Sequence, residues 1–277
     1  MSQIHPSAIV SANAKLHPSV KVGPYCLIGP DVELGSDCEL MAHVVIEGPC
    51  QIGPRNRFHP FASIGGPPQD KKYQGEFTSL SIGEGNVFRE SVTVNRGTVQ
   101  DQGQTRIGDH NWIMAYVHIA HDCVIGNDCV LANSVNLAGH VHVGDYSVLG
   151  GYTGVHQFCK VGAHVMAGIA SVIVKDVPPF LMISGNPVKP FGLNREGLKR
   201  RGFSDSRIRT LQEAYRILYR EGLRYEEALE KLRLHLNALE ESGLQQEADD
   251  LMCNLQFLKG VSRGIVRPCC KSLISRR

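Results

Sequence analysis

The sequence predicts an all-β parallel β-helix followed by a small α-helical C-terminal domain, on three observations. An aliphatic or aromatic residue recurs at every sixth position over most of the first 173 residues. A small or β-branched residue falls four positions after most of these anchors. Both regularities stop by Pro178-Pro179, and helical spacing takes over further along the chain.

The beat starts at Ile4 and passes through Val10, Leu16, Val22, Ile28, Leu34, Leu40, Ile46, Ile52, Phe58 and Ile64. It resumes at Ile82, Phe88 and Val94, then runs from Ile107 through Ile119, Leu137 and Val155 to Ile173. Six is a poor period for a helix of 3.6 residues per turn, so each hexad reads as one short strand and one turn. The small positions include Val20, Cys26, Val32, Cys38, Cys50, Val117, Cys123, Cys129 and Cys159. Each precedes the next anchor by two residues, so both side chains point to the same, inward face of a strand. Three hexads per coil give a repeat of about 18 residues, with coils stacked about 4.8 Å apart. Glycine often follows the anchor, as at Gly23, Gly29, Gly35 and Gly144, where it is expected to serve a turn conformation. Of nine cysteines, Cys26, Cys38, Cys50, Cys123, Cys129 and Cys159 fall inward and read as core.

The prism is expected over residues 1–183, with two ejected loops at 65–81 and 95–106. Residues 184–277 form the helical domain, entered through a linker from Ser184 to Pro190. A short helix is expected over Asn194 to Arg201, then one capped by Ser204, then two more over about Tyr225 to Leu239 and Gln245 to Leu258. The tail from Pro268 to Arg277 reads as a basic end without assigned function.

A net charge of +2 argues against nucleic acid as an obligatory partner but suits a basic patch for an acidic one. No apolar run is long enough for a membrane span, and Met1 to Pro6 do not resemble a secretory leader. A cytoplasmic protein with reduced cysteines is expected.

Chemistry concentrates in Val117-His118-Ile119-Ala120-His121-Asp122-Cys123. Ile119 and Cys123 point inward, which leaves His118, His121 and Asp122 in turns or on outward faces. One coil further, Gly139 stacks on His121 and His140 on Asp122; the next coil adds Gln157, with His156 beside it. An outward column of His121, Gly139 and Gln157 suits general-base work near neutral pH, with a glycine N–H open to a developing oxyanion. His110, His142 and His164 read as ordinary polar surface. Cys123 faces the core, which argues against it as a nucleophile.

The run His118 to Cys123, with Gly151-Tyr152-Thr153-Gly154-Val155-His156-Gln157-Phe158, resembles the UDP-N-acetylglucosamine O-acyltransferase family. So do Gln69-Asp70-Lys71-Lys72-Tyr73 in the first loop and Asn194 to Phe203 after the linker; the resemblance extends to about Arg267. It implies a left-handed hexapeptide-repeat prism and a homotrimer with sites between neighbours. The implied reaction moves a 3-hydroxyacyl group from acyl carrier protein to the 3-hydroxyl of UDP-N-acetylglucosamine, the first step of lipid A synthesis, with no cofactor or metal. His121 is then the base, Asp122 its support and Gly139 the oxyanion donor. Asp70, Lys72, His118, His140 and His156 match substrate-contacting or supporting positions. Gln157, Asn194, Glu196 and Arg200 match positions near the nucleotide, and a guanidinium at Arg200 suits phosphate oxygens. Ile169 stands where the family carries a stop for the acyl tail, so a bulky side chain there implies a donor of about ten carbons rather than fourteen.

Three other readings are separable. The related N-acyltransferase of a later lipid A step carries an additional N-terminal domain, for which hexads beginning at Ile4 leave no room. The γ-class carbonic anhydrases, which share the prism, pair zinc ligands five residues apart, and no two histidines here have that separation. A non-enzymatic trimeric scaffold would be indifferent to loss of His121.

Overall fold

The computed structural model describes residues 3–268, so Cys269 to Arg277 of the expected tail lie outside the described residues. Residues 3–173 wind as a left-handed parallel β-helix. Three sheets form the walls. The first runs from Gln3–Ile4 to Val188–Leu193, the second from Ile9–Val10 to Val172–Ile173, and the third from Lys15–Leu16 to Lys160–Val161. Where no loop intervenes the register advances 18 residues per coil, as in His118↔Asn136 and Asn136↔Gly154, until the last coil, Met166↔Met182, which is shorter.

The anchors beyond the exposed Ile4, with the small positions, line one continuous core, and all six inward cysteines are buried in it. Burial pushes the Cys50, Cys123 and Cys129 thiols up to about 12. Asn56, Asn86 and Asn111 also occupy inward positions. Their amides form a ladder, with Asn86 Nδ2 donating to Asn56 Oδ1 and Asn111 Nδ2 to Asn86 Oδ1, each at 2.9 Å. The ladder satisfies side chains that would otherwise be costly in an apolar interior.

The post-anchor glycines do not serve the turn conformation expected of them. The left-handed residue of each corner lies two positions later and is rarely glycine: Asp122 has φ 59°, His140 61° and Phe158 67°. The glycines are needed because the coils touch. A Cβ on Gly35 would lie 2.7 Å from the Gly53 carbonyl carbon, and one on Gly144 2.6 Å from the Ala163 nitrogen.

Ser184 to Pro190 is not an irregular linker. Leu181–Gly185 and Val188–Leu193 form an antiparallel hairpin that extends the first sheet and closes its exposed edge. Among the described residues four helices follow: α1 (Arg195–Arg200), α2 (Asp205–Tyr219), α3 (Tyr225–Glu241) and α4 (Gln245–Lys259). Asn194 caps α1 and Ser204 caps α2, each accepting a backbone N–H from three residues on. The apolar faces of α2, α3 and α4 pack together around Leu232, Leu251 and Leu255. Buried Asp176 ties this bundle to the last coil, accepting from the backbone N–H of Lys160 at 2.8 Å and of Ser262 at 3.1 Å.

Candidate functional site

Both loops leave the prism at one corner, between the second and third sheets. The first connects Ser63–Gly66 to Ser79–Ile82 and the second connects Thr93–Asn95 to Gln104–Ile107, so both are shorter than the breaks in the beat. Asn95 Nδ2 donates to the Pro67 carbonyl at 2.8 Å, and Arg96 donates to the Gly65 carbonyl at 2.6 Å and the Tyr73 hydroxyl at 3.3 Å. The two loops are thereby stapled into one flap.

His121 and Asp122 occupy the same corner one coil further along. The predicted outward column is not open: His121 is 8% exposed and Asp122 1%. The roof is the second loop. Thr98 donates its backbone N–H to both Asp122 oxygens, at 2.9 and 3.0 Å, and its hydroxyl to Oδ2 at 2.6 Å. Burial by itself would raise the Asp122 carboxyl. Hydrogen bonds from His121 and Thr98 outweigh it and hold the group below its ordinary value. An ionised carboxylate only accepts, so the 2.8 Å contact from His121 Nδ1 to Asp122 Oδ2 places the imidazole proton on Nδ1. Nε2 of the neutral ring is then free to take a proton.

Gly139 covers the other side of that ring. A Cβ there would lie 2.5 Å from His121 Cε1 and 2.7 Å from Nε2. The glycine leaves room for the imidazole, in addition to the N–H that sequence reasoning assigned it.

His140 forms a second histidine–carboxylate pair, with Asp101 of the second loop: Nδ1 donates to Oδ2 at 2.7 Å. Its ring meets His121 edge-on at 5.0 Å and stacks on Phe158 at 4.4 Å. His118 Nδ1 lies 2.8 Å from the Thr93 hydroxyl, and burial, then the proximity of His121, holds its pKa below the ordinary value. His156 donates from Nδ1 to the Gln157 carbonyl at 3.1 Å. Ligating atoms of His121, Asp122 and His140 lie within 4.8 Å of one another, a spacing a metal ion could bridge. Thr98 and His121 already take up both Asp122 oxygens, so the set reads better as a hydrogen-bonded network.

Asp70, Lys72, His140 and Gln157 line one cavity of about 360 Å3, with Gln100 and Asp101 on its rim. Over the second sheet, His118 and His156 flank an apolar groove of about 410 Å3 lined also by Ala138, Gly154, Val172 and Val174. Asn194, Glu196 and Arg200 are not brought to this corner within one chain. Asn194 Nδ2 donates to the His164 carbonyl at 3.0 Å, and Arg200 lines a cavity of about 580 Å3 beside His164. Ile169 stands on a third corner, 71% exposed.

Sequence reasoning missed Thr98 and Asp101. Their signal was only that a polar loop interrupts the beat there, and nothing local marks which of its side chains would reach inward. His164 also departs from its expectation as plain surface. It is stacked between Tyr146 and Phe180, and burial, reinforced by Arg201, pulls its pKa down to about 4. His142 is likewise half-buried rather than free on the surface.

Comparison with known proteins agrees with this architecture. Residues 104–139 match the family described as "Bacterial transferase hexapeptide (six repeats)", and residues 176–266 match "Udp N-acetylglucosamine O-acyltransferase; Domain 2". Proteins named acyl-[acyl-carrier-protein]–UDP-N-acetylglucosamine O-acyltransferase from Verminephrobacter eiseniae and Thiobacillus denitrificans are each 55% identical over 96% of this chain and all of their own length. The solved UDP-N-acetylglucosamine acyltransferase of Francisella novicida superposes with a TM-score of 0.91 at 40% identity, covering 99% of this chain and 97% of that one. That of Moraxella catarrhalis gives 0.89 at 46%, covering 95% and 99%.

Proposed function

Because the chain belongs to the acyl-[acyl-carrier-protein]–UDP-N-acetylglucosamine O-acyltransferase family, we propose that it transfers a (R)-3-hydroxyacyl group from acyl carrier protein to the 3-hydroxyl of UDP-N-acetylglucosamine. This is the first step of lipid A synthesis. The observation that carries the site assignment is the buried His121–Asp122 pair, set between His140, which lines a polar cavity, and His118, which lines an apolar groove.

His121 Nε2 takes the proton of the sugar 3-hydroxyl as that oxygen attacks the thioester carbonyl. The carbonyl oxygen becomes an oxyanion held by the Gly139 N–H, for which no acceptor is found among the described residues. Collapse re-forms the carbonyl, breaks the C–S bond and returns the proton from His121 to the carrier thiol. Asp122 holds the ring in the Nδ1–H tautomer and stabilises the imidazolium that forms. Asp70, Lys72, His140 and Gln157 hold the sugar and diphosphate in the polar cavity. His118 and His156 guide the acyl chain into the apolar groove. Cys123 takes no part, since its S–H donates to the Ala138 carbonyl inside the core at 3.2 Å.

The working unit is a homotrimer. Its support is the separation of Asn194, Glu196, Arg200 and Ile169 from His121 within one chain, which neighbouring copies would close. Tyr116 and Tyr152 stand exposed on the same corner as Ile169, forming an aromatic edge fit for that contact. In the trimer Asn194, Glu196 and Arg200 would meet the nucleotide, and Ile169 would end the groove at about ten carbons. No helix among the described residues is long and apolar enough to cross a membrane. We place the enzyme in the cytoplasm, where a nucleotide sugar and reduced cysteines are at home.

The test supplies UDP-N-acetylglucosamine and 3-hydroxyacyl carrier protein to wild type and His121→Ala. Acyl transfer by wild type, lost in the variant, is the expected result. Absence of transfer by wild type would overturn the assignment, and an unimpaired variant would remove His121 from its role.

A further inference from the structure

We propose that Asp101 is a positioning residue for the His121–Asp122 pair, acting through His140; the inference rests on the function proposed above. Two histidines face one carboxylate oxygen. His121 Nδ1 lies 2.8 Å from Asp122 Oδ2, and His140 Nδ1 lies 3.8 Å from the same atom. Asp101 Oδ2 lies 2.7 Å from His140 Nδ1. Among the described residues, the only carboxylate within hydrogen-bonding range of His140 is therefore the one that draws its proton away from Asp122.

The His140 side chain is 9% exposed, so water is a poor substitute for Asp101. Its ring is also confined, with His121 against its edge and Phe158 on its face. Without Asp101, the buried Nδ1–H is left unsatisfied, which is unfavourable, and the next carboxylate is Asp122, whose Oδ2 lies 3.8 Å away. A pivot of about 1 Å within the ring plane would bring the two into hydrogen-bond range. That oxygen already accepts from His121 and from the Thr98 hydroxyl. A third donor would compete with His121, weaken its orientation and divide the negative charge that supports the imidazolium. Asp101 thus reserves Asp122 for the base. It belongs to the loop that roofs the site, so closure of the roof and completion of the pair are one event.

The test is a coupled set of variants in the intact enzyme. Asp101→Ala should lower kcat about tenfold while KM for UDP-N-acetylglucosamine moves less than about twofold. Asp101→Glu should recover most of the loss. In a His140→Ala background the Asp101→Ala change should have little further effect, because its route is gone. An equal loss in both backgrounds would reduce Asp101 to a loop-building residue and overturn the proposal, as would a wild-type kcat in Asp101→Ala. A second readout is independent of turnover. In 15N-histidine spectra, Asp101→Ala should remove the His140–Asp101 hydrogen-bonded proton and shift that of His121. A His121 signal unchanged by the substitution would also overturn the proposal, whatever the substrate proves to be.

Discussion

Gly139→Ala isolates the position of the catalytic ring from every other property of the site. The added Cβ would lie 2.5 Å from His121 Cε1, 2.7 Å from Nε2 and 3.1 Å from Nδ1. Ordinary carbon contacts are about 3.5–4.0 Å, so the ring must retreat by about 1 Å. Asp122 cannot follow, because Thr98 pins its carboxylate with three hydrogen bonds. The 2.8 Å contact between the two is therefore lost. A hydrogen bond to a charged group contributes about 1.5–3 kcal/mol, or roughly 10- to 150-fold in rate at about 1.36 kcal/mol per tenfold. A 1 Å misplacement of a reacting group independently costs about 10²-fold. Both routes put kcat near a hundredth of wild type. Alanine keeps the backbone N–H, and Gly139 is not in the left-handed region, so neither oxyanion donation nor backbone strain explains such a loss. The assay follows carrier thiol release with saturating UDP-N-acetylglucosamine, beside thermal melting to confirm folding. Gly29→Ala, whose Cβ would meet its nearest neighbour at 3.4 Å in a distant coil, is the control and should keep its rate. A folded Gly139→Ala enzyme with kcat within about threefold of wild type would refute the reasoning.

Other outcomes follow from the same geometry. Thr98→Val removes the 2.6 Å hydroxyl bond to Asp122 but keeps the backbone donor, so kcat should fall about tenfold, read in the same thiol assay. Asp122 has a folded-state pKa held below its ordinary 3.8; its stabilisation is therefore complete above about 4 and lost as pH falls through the folded value. Denaturant midpoints of wild type and Asp122→Asn between about pH 3 and 5 should show a shallower acid decline in the variant, and parallel curves would contradict this. Ile169→Gly should move donor preference toward longer chains. About four added methylenes at about 0.8 kcal/mol each bound the gain at roughly 10²-fold in relative kcat/KM, and an unchanged fourteen-to-ten carbon ratio would remove Ile169 from that role. Alkylation of the native protein near pH 8 should leave Cys50, Cys123 and Cys129 unmodified by mass spectrometry, because burial pushes these thiols up to about 12.

The sequence by itself determined the wall of this protein and the address of its base. Which side chains face inward is a local property of a six-residue period, and the coil length follows from it. That is why the period alone sets Gly139 over His121 and the cysteines in the core. The hairpin over Leu181–Gly185 and Val188–Leu193 was not legible, because Gly185, Asn186 and Pro187 read equally as a turn between strands or as a linker. The glycines were recognised but their reason was mistaken, since contact between successive coils has no local signature. Only the tertiary structure decided what surrounds the base. Asp122 is held by Thr98, 24 residues away in sequence, and His140 by Asp101, 39 residues away. Contacts of that separation depend on how two ejected loops fold back over one corner, and loop residues carry no periodic pattern to reveal it. The motif around His121 therefore reads as an exposed turn in sequence, and becomes a buried, charge-supported pair only once the loops close over it.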